Sequence, residues 1–310
     1  MMNSEFRIDS MKPSRILCIV ILYNAEKWID RCLGSLYSST IVPDVYVVDN
    51  GSKDSTLSII REKYNKVILN VSKENLGFGK ANNIGLKYAY EIGYEYVYLL
   101  NQDAWVLPNT FEKLIEISSK YPEYGILSPI QMNADLLHID RYFNKNVCNT
   151  KACPDLFNDL YNTNTLEVYP AKNVMAAHWL ITNKCLSQVG GFSPSFPHYG
   201  EDANYEDRIY YWGFKMGIVP SLRVVHDRGE RKDPPKKMIY LMYTSCIREL
   251  SRPNYQRIHP LLLVVYKCIQ SIILYKSLSP ILYVFKLLFR IRSIYKNRLE
   301  SINCKTAFLY

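Results

Sequence analysis

Continuous apolar runs alternate with amphipathic stretches through the first 130 residues. "RILCIVIL" (15–22) shows no polar alternation after its arginine, the pattern of a strand buried on both faces. A helix is predicted from Glu26 to about Ser38. "DVYVVDNGSKDST" (44–56) reads as a second strand that opens into a polar loop, with Asp54 or Ser55 placed to cap a helix over about 55–64. "KVILNV" (66–71) gives a third strand, residues 78–92 a helix, "EYVYLLNQD" (95–103) a fourth strand, and a further helix follows Pro108. Strand and helix alternating at such short intervals imply an α/β chain with a mostly parallel sheet covered by helices.

The rhythm breaks over residues 131–170, a polar and aromatic tract that reads as an excursion from the sheet. It returns with "NVMAAHWLIT" (173–182), "GGF" (190–192) and the acidic "YGEDANYEDRIYYWGFKMGIVP" (199–220). Near the end, the uncharged runs 258–266, 268–275 and 277–285 are split by Lys267 and Lys276. Each is far shorter than the roughly 20 apolar residues that span a bilayer.

Composition sharpens this picture mainly through charge. At 310 residues, 48% hydrophobic and 22% charged, the chain is globular and long enough for one large domain with an appendage. The net charge of +9 is confined to residues 236–310, which carry 13 Lys/Arg against 2 acids, while the remainder is nearly neutral. A cationic, aromatic-rich helical segment suits the headgroup region of an anionic membrane, and a buried helical cap or a dimer contact is the competing reading. Lys267 and Lys276, nine residues apart, fall on opposite helix sides, which argues against a simple amphipathic stripe. No nucleic-acid recognition motif accompanies the charge. The eight cysteines form no CxxC pair and no secretory signal is visible, so a reduced, cytosolic setting is expected, with Cys18 and Cys32 as small buried hydrophobes. The organisation is therefore a flexible leader (1–13), a catalytic domain (14–235) and a basic helical segment (236–310).

Candidate chemistry sits at the predicted strand ends. Asp49 can accept a hydrogen bond from a base or ribose, or simply cap a strand-to-helix turn. "ENLGFGKANNIGL" (74–86) has glycines that let backbone approach a ligand, but Gly79-Lys80 is followed by Ala81 and is not a P-loop. Asp103 is a hard oxygen ligand suited to Mg²⁺ or Mn²⁺ held partly by substrate phosphates, or a turn residue. "YGEDANYEDR" offers paired acids twice; Asp202 and Glu206 share a helix face, and one cleft-facing acid can serve as general base while the others are solvated. His226, ending "LRVVHD", is a metal ligand or a structural hydrogen bonder.

In order and spacing, "VILYN" (20–24), "VVDNGSKDST" (47–56), "ENLGFGKANNIGL" (74–86), "LLNQDAWV" (99–106), "GED" (200–202) and "VVHD" (224–227) carry a resemblance. Over roughly residues 14–230 the chain resembles the family-2 glycosyltransferases of the GT-A fold, especially bacterial rhamnosyltransferase-like members that build surface polysaccharides. The resemblance implies that Tyr23, Asn24, Asp49 and Asn50 hold the base and ribose of a nucleotide-diphosphate sugar. Asn75, Gly77, Lys80, Asn82 and Asn83 would lie near the nucleotide and its diphosphate. Asp103 matches the last acid of the family's DxD metal motif, His226 a histidine that completes the metal shell, and Asp202 the base. Trp105, His178, Trp179, Glu201 and Arg208 are candidates for facing the acceptor or the donor sugar. Asn101 replaces the usual first acid of the metal motif, which puts the divalent cation (Mg or Mn) and the donor's base in question.

The activity expected is inverting transfer of a sugar to a hydroxyl of a lipid-linked glycan acceptor, at the inner face of the plasma membrane. The non-enzyme rival is a membrane-bound nucleotide-sugar or glycan-binding module impaired through Asn101. A processive synthase is disfavoured, because no QxxRW signature follows Asp202. A nucleotidyltransferase would need a glycine- and arginine-rich loop where "LYNAEKWID" stands.

Overall fold

The computed structural model describes residues 16–149, 151–229, 235–254, 260–276 and 278–310; the leader expected over 1–13 lies outside the described residues. Four parallel strands open the chain: β1 (Ile16–Leu22), β2 (Asp44–Asp49), β3 (Ile68–Val71) and β4 (Tyr96–Asn101). They are joined through helices α1 (Ile29–Tyr37), α2 (Thr56–Lys63) and α3 (Phe78–Ile92). The β1 run is apolar throughout because both its faces are covered. Ile16, Cys18 and Val20 pack toward α1 and α4 (Thr110–Lys120), while Leu17 and Ile19 pack toward α3. The register sets Leu22 beside Asp49 and Ile21 beside Asn101, so the carboxyl ends of three strands meet at one edge.

The predicted strand 95–103 is borne out as β4 over 96–101 and ends two residues early. Gln102 and Asp103 form a turn, and β5 (Ala104–Trp105) runs antiparallel to β9 (Lys215–His226). The remaining strands are β6 (Tyr124–Met132), β7 (Tyr169–Pro170) and β8 (His178–Thr182), giving the order β3-β2-β1-β4-β8-β6-β9-β5 with β7 on β9. The parallel half thus continues as a mixed half, because β8 pairs antiparallel with both β4 and β6.

The 131–170 tract begins inside β6 and folds back onto the core rather than looping away. It carries α5 (Arg141–Asn146), capped by the Asp140 carboxylate accepting from Phe143 N at 2.8 Å, and α6 (Leu156–Tyr161). Phe143, Val147, Cys153 and Leu156 are buried in the same cluster as Trp179. Cys18 and Cys32 are fully buried, as anticipated.

After β8 come α7 (Asn183–Val189) and α8 (Glu201–Tyr211). Three helices, α9 (Pro235–Ser251), α10 (Pro260–Tyr275) and α11 (Pro280–Asn303), form the basic segment. They build a small core of their own that includes Phe196 from the preceding loop. The segment is pinned to the α/β body by an Arg248–Asp207 ion pair at 2.8 Å and by Arg290 donating to Ser195 O at 2.8 Å. Ala307 and Leu309 are buried, and Gly191 N donates to Ala307 O at 2.8 Å. α9 and the 307–309 stretch are therefore packed parts of the α/β body.

Candidate active site

The site is assembled where strand ends turn. The turn after β4 carries Asp103, and pairing of Ala104 with His226 brings that carboxylate to the end of β9. Asp227 N donates to Asp103 O at 2.7 Å, and Asp103 Oδ1 lies 3.5 Å from His226 Nε2. The imidazole is almost fully buried. Gln131, fully buried at the end of β6, donates its amide to Met175 O at 3.2 Å and turns its carbonyl toward His226 Nδ1 at 3.3 Å. Arg228 Nη2 also faces Nδ1, at 3.4 Å, so a donor and an acceptor compete for that nitrogen while the Asp103 carboxylate faces the other. An imidazole held by its neighbours beside a carboxylate is a fitting pair for a divalent cation. Asn101 lines the same cleft and adds an amide without charge. Among the described residues no group of three His, Cys, Asp or Glu forms a complete metal cage, so other positions would fall to a ligand's oxygens.

The opposite wall is the start of α8. Tyr199 (φ 63°) and Gly200 (φ 93°) are both left-handed, and a Cβ on Gly200 would lie 3.2 Å from the Phe196 ring. This turn sends Glu201 and Asp202 into the cleft. Glu201 is buried, and its Oε2 has no partner. Burial, reinforced by the charge of Asp202, pushes its pKa up to about 8. The Asp202 carboxyl is raised by burial and held back by the Ala203 N–H it accepts at 2.8 Å and by Arg248 and Arg228. The second acid pair is not solvated as expected. Glu206 is buried and accepts from Val174 N at 2.8 Å, and Asp207 holds Arg248. Between the walls lies a cleft of about 360 Å³ that also receives Phe78, Arg228 and Lys237. The Arg228 guanidinium lies 4.8 Å over the Tyr142 ring.

A second polar cluster lies at the ends of β1 and β2. Asn50 donates to Asn75 Oδ1 at 3.0 Å, and that oxygen also accepts from Gly77 N at 2.9 Å, while Asn50 Oδ1 accepts from Leu76 N at 2.8 Å. Asn24 Oδ1 accepts from Lys53 N at 2.8 Å. Asp49 is buried; its Oδ2 accepts from Ser52 N at 3.3 Å, while its Oδ1 has no hydrogen-bond partner. Gln102 ties this cluster to the Asp103 turn by accepting from Tyr23 N at 2.8 Å. Tyr23 is exposed, and Lys80 is exposed in the first turn of α3.

Several candidates are placed elsewhere. Trp179 is fully buried and donates to Val174 O at 3.1 Å. Arg208 is fully buried and donates to the carbonyls of Val189 and Gly191. Asn83 brackets Phe192, donating to its carbonyl at 2.8 Å and accepting from its N–H at 2.7 Å, and buried Asn82 donates to Phe78 O at 3.0 Å. His178 bridges Tyr98 Oη at 2.8 Å and Val225 O at 2.9 Å; burial drives its pKa down to about 3, so it stays neutral and fixes the strand before His226. These side chains shape the walls instead of facing a sugar, because both faces of β8 and one face of α8 are buried. Trp105 is half-buried with the Arg31 guanidinium 5.4 Å over its ring. Gln131, Arg228 and Lys237 were missed: Gln131, which reaches His226, and Lys237, which lines the cleft, sit in no motif, and Arg228 lines the cleft from just past VVHD.

Comparison with known proteins agrees with this geometry. Residues 17–146 match the family described as Glycosyl transferase family 2. An N-acetylglucosaminyl-diphospho-decaprenol L-rhamnosyltransferase of Mycobacterium tuberculosis is 25% identical over 238 residues, covering 70% of this chain and 78% of the relative. An Escherichia coli chondroitin synthase is 35% identical over 83 residues, 25% of this chain and 12% of that one. Among solved structures, S. aureus TarS 1–349 superposes with a TM-score of 0.57 at 17% identity, over 93% of this chain and 82% of that one. The Pyrobaculum calidifontis mannosyltransferase PcManGT, solved with GDP-Man and Mn²⁺, gives 0.54 at 17% identity, over 93% and 74%. At these identities the structural likeness speaks for the fold. Strand ends, cleft and family match converge: residues 17–146 carry the match to Glycosyl transferase family 2, within a chain that has the GT-A fold.

Proposed function

We propose that the protein is an inverting glycosyltransferase that moves a sugar, a hexose or deoxyhexose, from a nucleotide diphosphate to a hydroxyl of a lipid-linked glycan in bacterial surface polysaccharide synthesis. The observation that carries this reading is one cleft lined by Asp202 on one wall and by Asp103 with His226 on the other. The unpartnered Asp49 oxygen and the Asn50–Asn75 pair supply a place for base and ribose. The relative's printed activity supports a lipid diphosphate acceptor and a deoxyhexose donor.

In this mechanism Asp202 takes the proton of the acceptor hydroxyl as its oxygen attacks the anomeric carbon. The bond from that carbon to the phosphate oxygen breaks, and its electron pair leaves on the diphosphate. Arg228 and Lys237 lie along the cleft, where they neutralise the departing charge. Asp103 and His226, with Asn101 beside them, would hold a divalent cation, which supplies Lewis-acid stabilisation of the diphosphate when bound. Glu201, kept protonated near neutral pH, offers a hydrogen-bond donor to a sugar oxygen. A single base and one displacement give inversion.

The deciding experiment pairs a nucleotide screen by thermal shift with transfer assays on Asp202→Asn. The expected outcome is a stabilising nucleotide, and transfer reduced about 10²–10⁴-fold with nucleotide binding retained. Full transfer by the variant would remove Asp202 from the reaction. The exposed, basic face of α10 and α11 supports placement at the inner surface of the plasma membrane, where enzyme and lipid-linked acceptor meet. Among the described residues no helix is long and apolar enough to cross a membrane.

A further inference from the structure

The loop that leads to Asp202, residues 190–200, is gripped at its start from two sides. On one side stands α8 itself. Tyr205 Oη donates to Gly190 O at 2.9 Å, and the buried Arg208 guanidinium donates to Gly191 O. On the other side stands α3. Asn83, in the second turn of that helix, donates its amide to Phe192 O at 2.8 Å and accepts from Phe192 N at 2.7 Å. One side chain thus pairs both backbone groups of one loop residue. The approach of α3 to the loop is close at several points. A Cβ on Gly191 would lie 2.7 Å from Asn83 Oδ1, and one on Gly79 would lie 3.1 Å from Phe192 Cβ and 3.5 Å from Glu201 Cβ. The Phe78 ring meets the Phe192 ring edge-on at 5.6 Å, and Phe78 also lines the cleft. The same helix begins at the second polar cluster: Gly77 N, at its head, donates to Asn75 Oδ1, which also accepts from Asn50. A single element therefore touches the cluster assigned above to the nucleotide and, one turn later, the loop that leads to the base.

We infer that Asn83 is a positioning residue for transfer: by holding both backbone groups of Phe192 it sets where Asp202 stands relative to the nucleotide. The inference rests on the reading of Asp202 as the base. An amide suits this task because it carries a donor and an acceptor in one plane. Aspartate would set a charged oxygen against the Phe192 carbonyl, and alanine would leave both backbone groups without this partner. Both ends of the amide are engaged by Phe192, which argues against the direct nucleotide contact implied by its place in "ENLGFGKANNIGL". Placement matters steeply, since a shift of about 1 Å between reacting groups costs on the order of 10²-fold in rate.

The test measures transfer by the full chain from UDP-, dTDP- and GDP-sugars to a polyprenyl diphosphate carrying N-acetylglucosamine, an acceptor of the proposed class. Asn83→Ala and Asn83→Asp should lower kcat at least about tenfold and leave KM for the nucleotide sugar within about twofold. In an Asp202→Asn background the same replacements should change transfer by less than about twofold, because a base already removed cannot be misplaced. Gly79→Ala separates position from folding. Alanine favours the helix over glycine, while its Cβ presses on Phe192, so kcat should fall several-fold with the melting temperature held. If the Asn83 variants melt below the assay temperature, Gly79→Ala in the two backgrounds carries the same test. A raised KM with unchanged kcat overturns the inference and returns Asn83 to the nucleotide site. Losses that add in full to that of Asp202→Asn also overturn it, since Asn83 would then act apart from the base. Unchanged kcat in the folded variants overturns it as well. Failure of the underlying reading shows differently: either Asp202→Asn alone transfers at the full rate, or the wild type turns over no donor of the panel.

Discussion

Glu201 and Asp202 are neighbours at the head of α8, yet their environments separate their chemistry. Glu201 has its pKa lifted to about 8 by burial and by the Asp202 charge, whereas Asp202 is lifted by burial but held back by an N–H and two arginines. A carboxyl whose folded pKa is raised stabilises the protein fully below its unfolded value, and that contribution is lost as pH climbs through the folded value. Stability should therefore decline between about pH 4.5 and 8, and Glu201→Gln should flatten the decline. Thermal melts across that range should show the variant matching wild type near pH 4.5 and melting several degrees higher at pH 8–9. The acid limb of transfer should lie above the ordinary aspartate range, since Asp202 must be ionised to act. Asn101 is the residue-scale anomaly of the metal pair. Asn101→Asp adds a charged oxygen beside Asp103 and should lower the half-saturating Mn²⁺ concentration by roughly tenfold in activity titrations. An unchanged midpoint would place position 101 outside the metal's reach. Much of this chemistry was legible in sequence, because Asp49, Asp103 and His226 each end an apolar run. What sequence hid was direction: Trp179 and Arg208 carry functional-looking side chains, but nothing local says that their strand and helix faces point into the core.

Elements were easiest to read where burial is two-sided. β1 and β2 are apolar without alternation, and the structure covers them on both faces. The fourth strand was harder, because the Gln102–Asp103 turn reverses the chain within two residues and β5 contributes only two more. That reversal depends on β9, more than a hundred residues away, and so leaves little local trace. Long-range closeness also explains Gly77, at the head of α3. Its φ is +79°, and a Cβ there would sit 2.7 Å from Pro197 O. Gly77→Ala combines a left-handed backbone with a clash against the loop that leads to α8. A cost of about 1–3 kcal/mol is expected in denaturant unfolding, together with weaker nucleotide binding. A variant as stable as wild type would show that the two loops yield to each other.

For the whole molecule, charge at the end of the sequence was legible and attachment was not. The basic segment has two faces: α9 is tied to α8 by the Arg248–Asp207 pair and α11 to Ser195 O by Arg290, while α11 also turns Leu282, Phe285 and Phe289 outward. Removing residues 236–310 would therefore strip packing from the catalytic body along with any lipid-facing surface. Paired substitutions Leu282→Asp and Phe289→Asp separate the two, because both side chains are largely exposed. The variant should lose most flotation on anionic liposomes while keeping its melting temperature, and wild-type flotation should weaken as salt rises. Flotation equal to wild type would exclude this face from membrane contact.

Residues 307–309 meet Gly191, whose carbonyl also holds Arg208, just ahead of the loop that presents Glu201 and Asp202. In time rather than space, this contact is a late event. During synthesis the parallel strands can pair as soon as they emerge, but the wall bearing the base is braced only after more than a hundred further residues have been added. On the proposed reading, the strand ends assigned to the nucleotide are therefore complete in the chain before the wall that carries the base is braced.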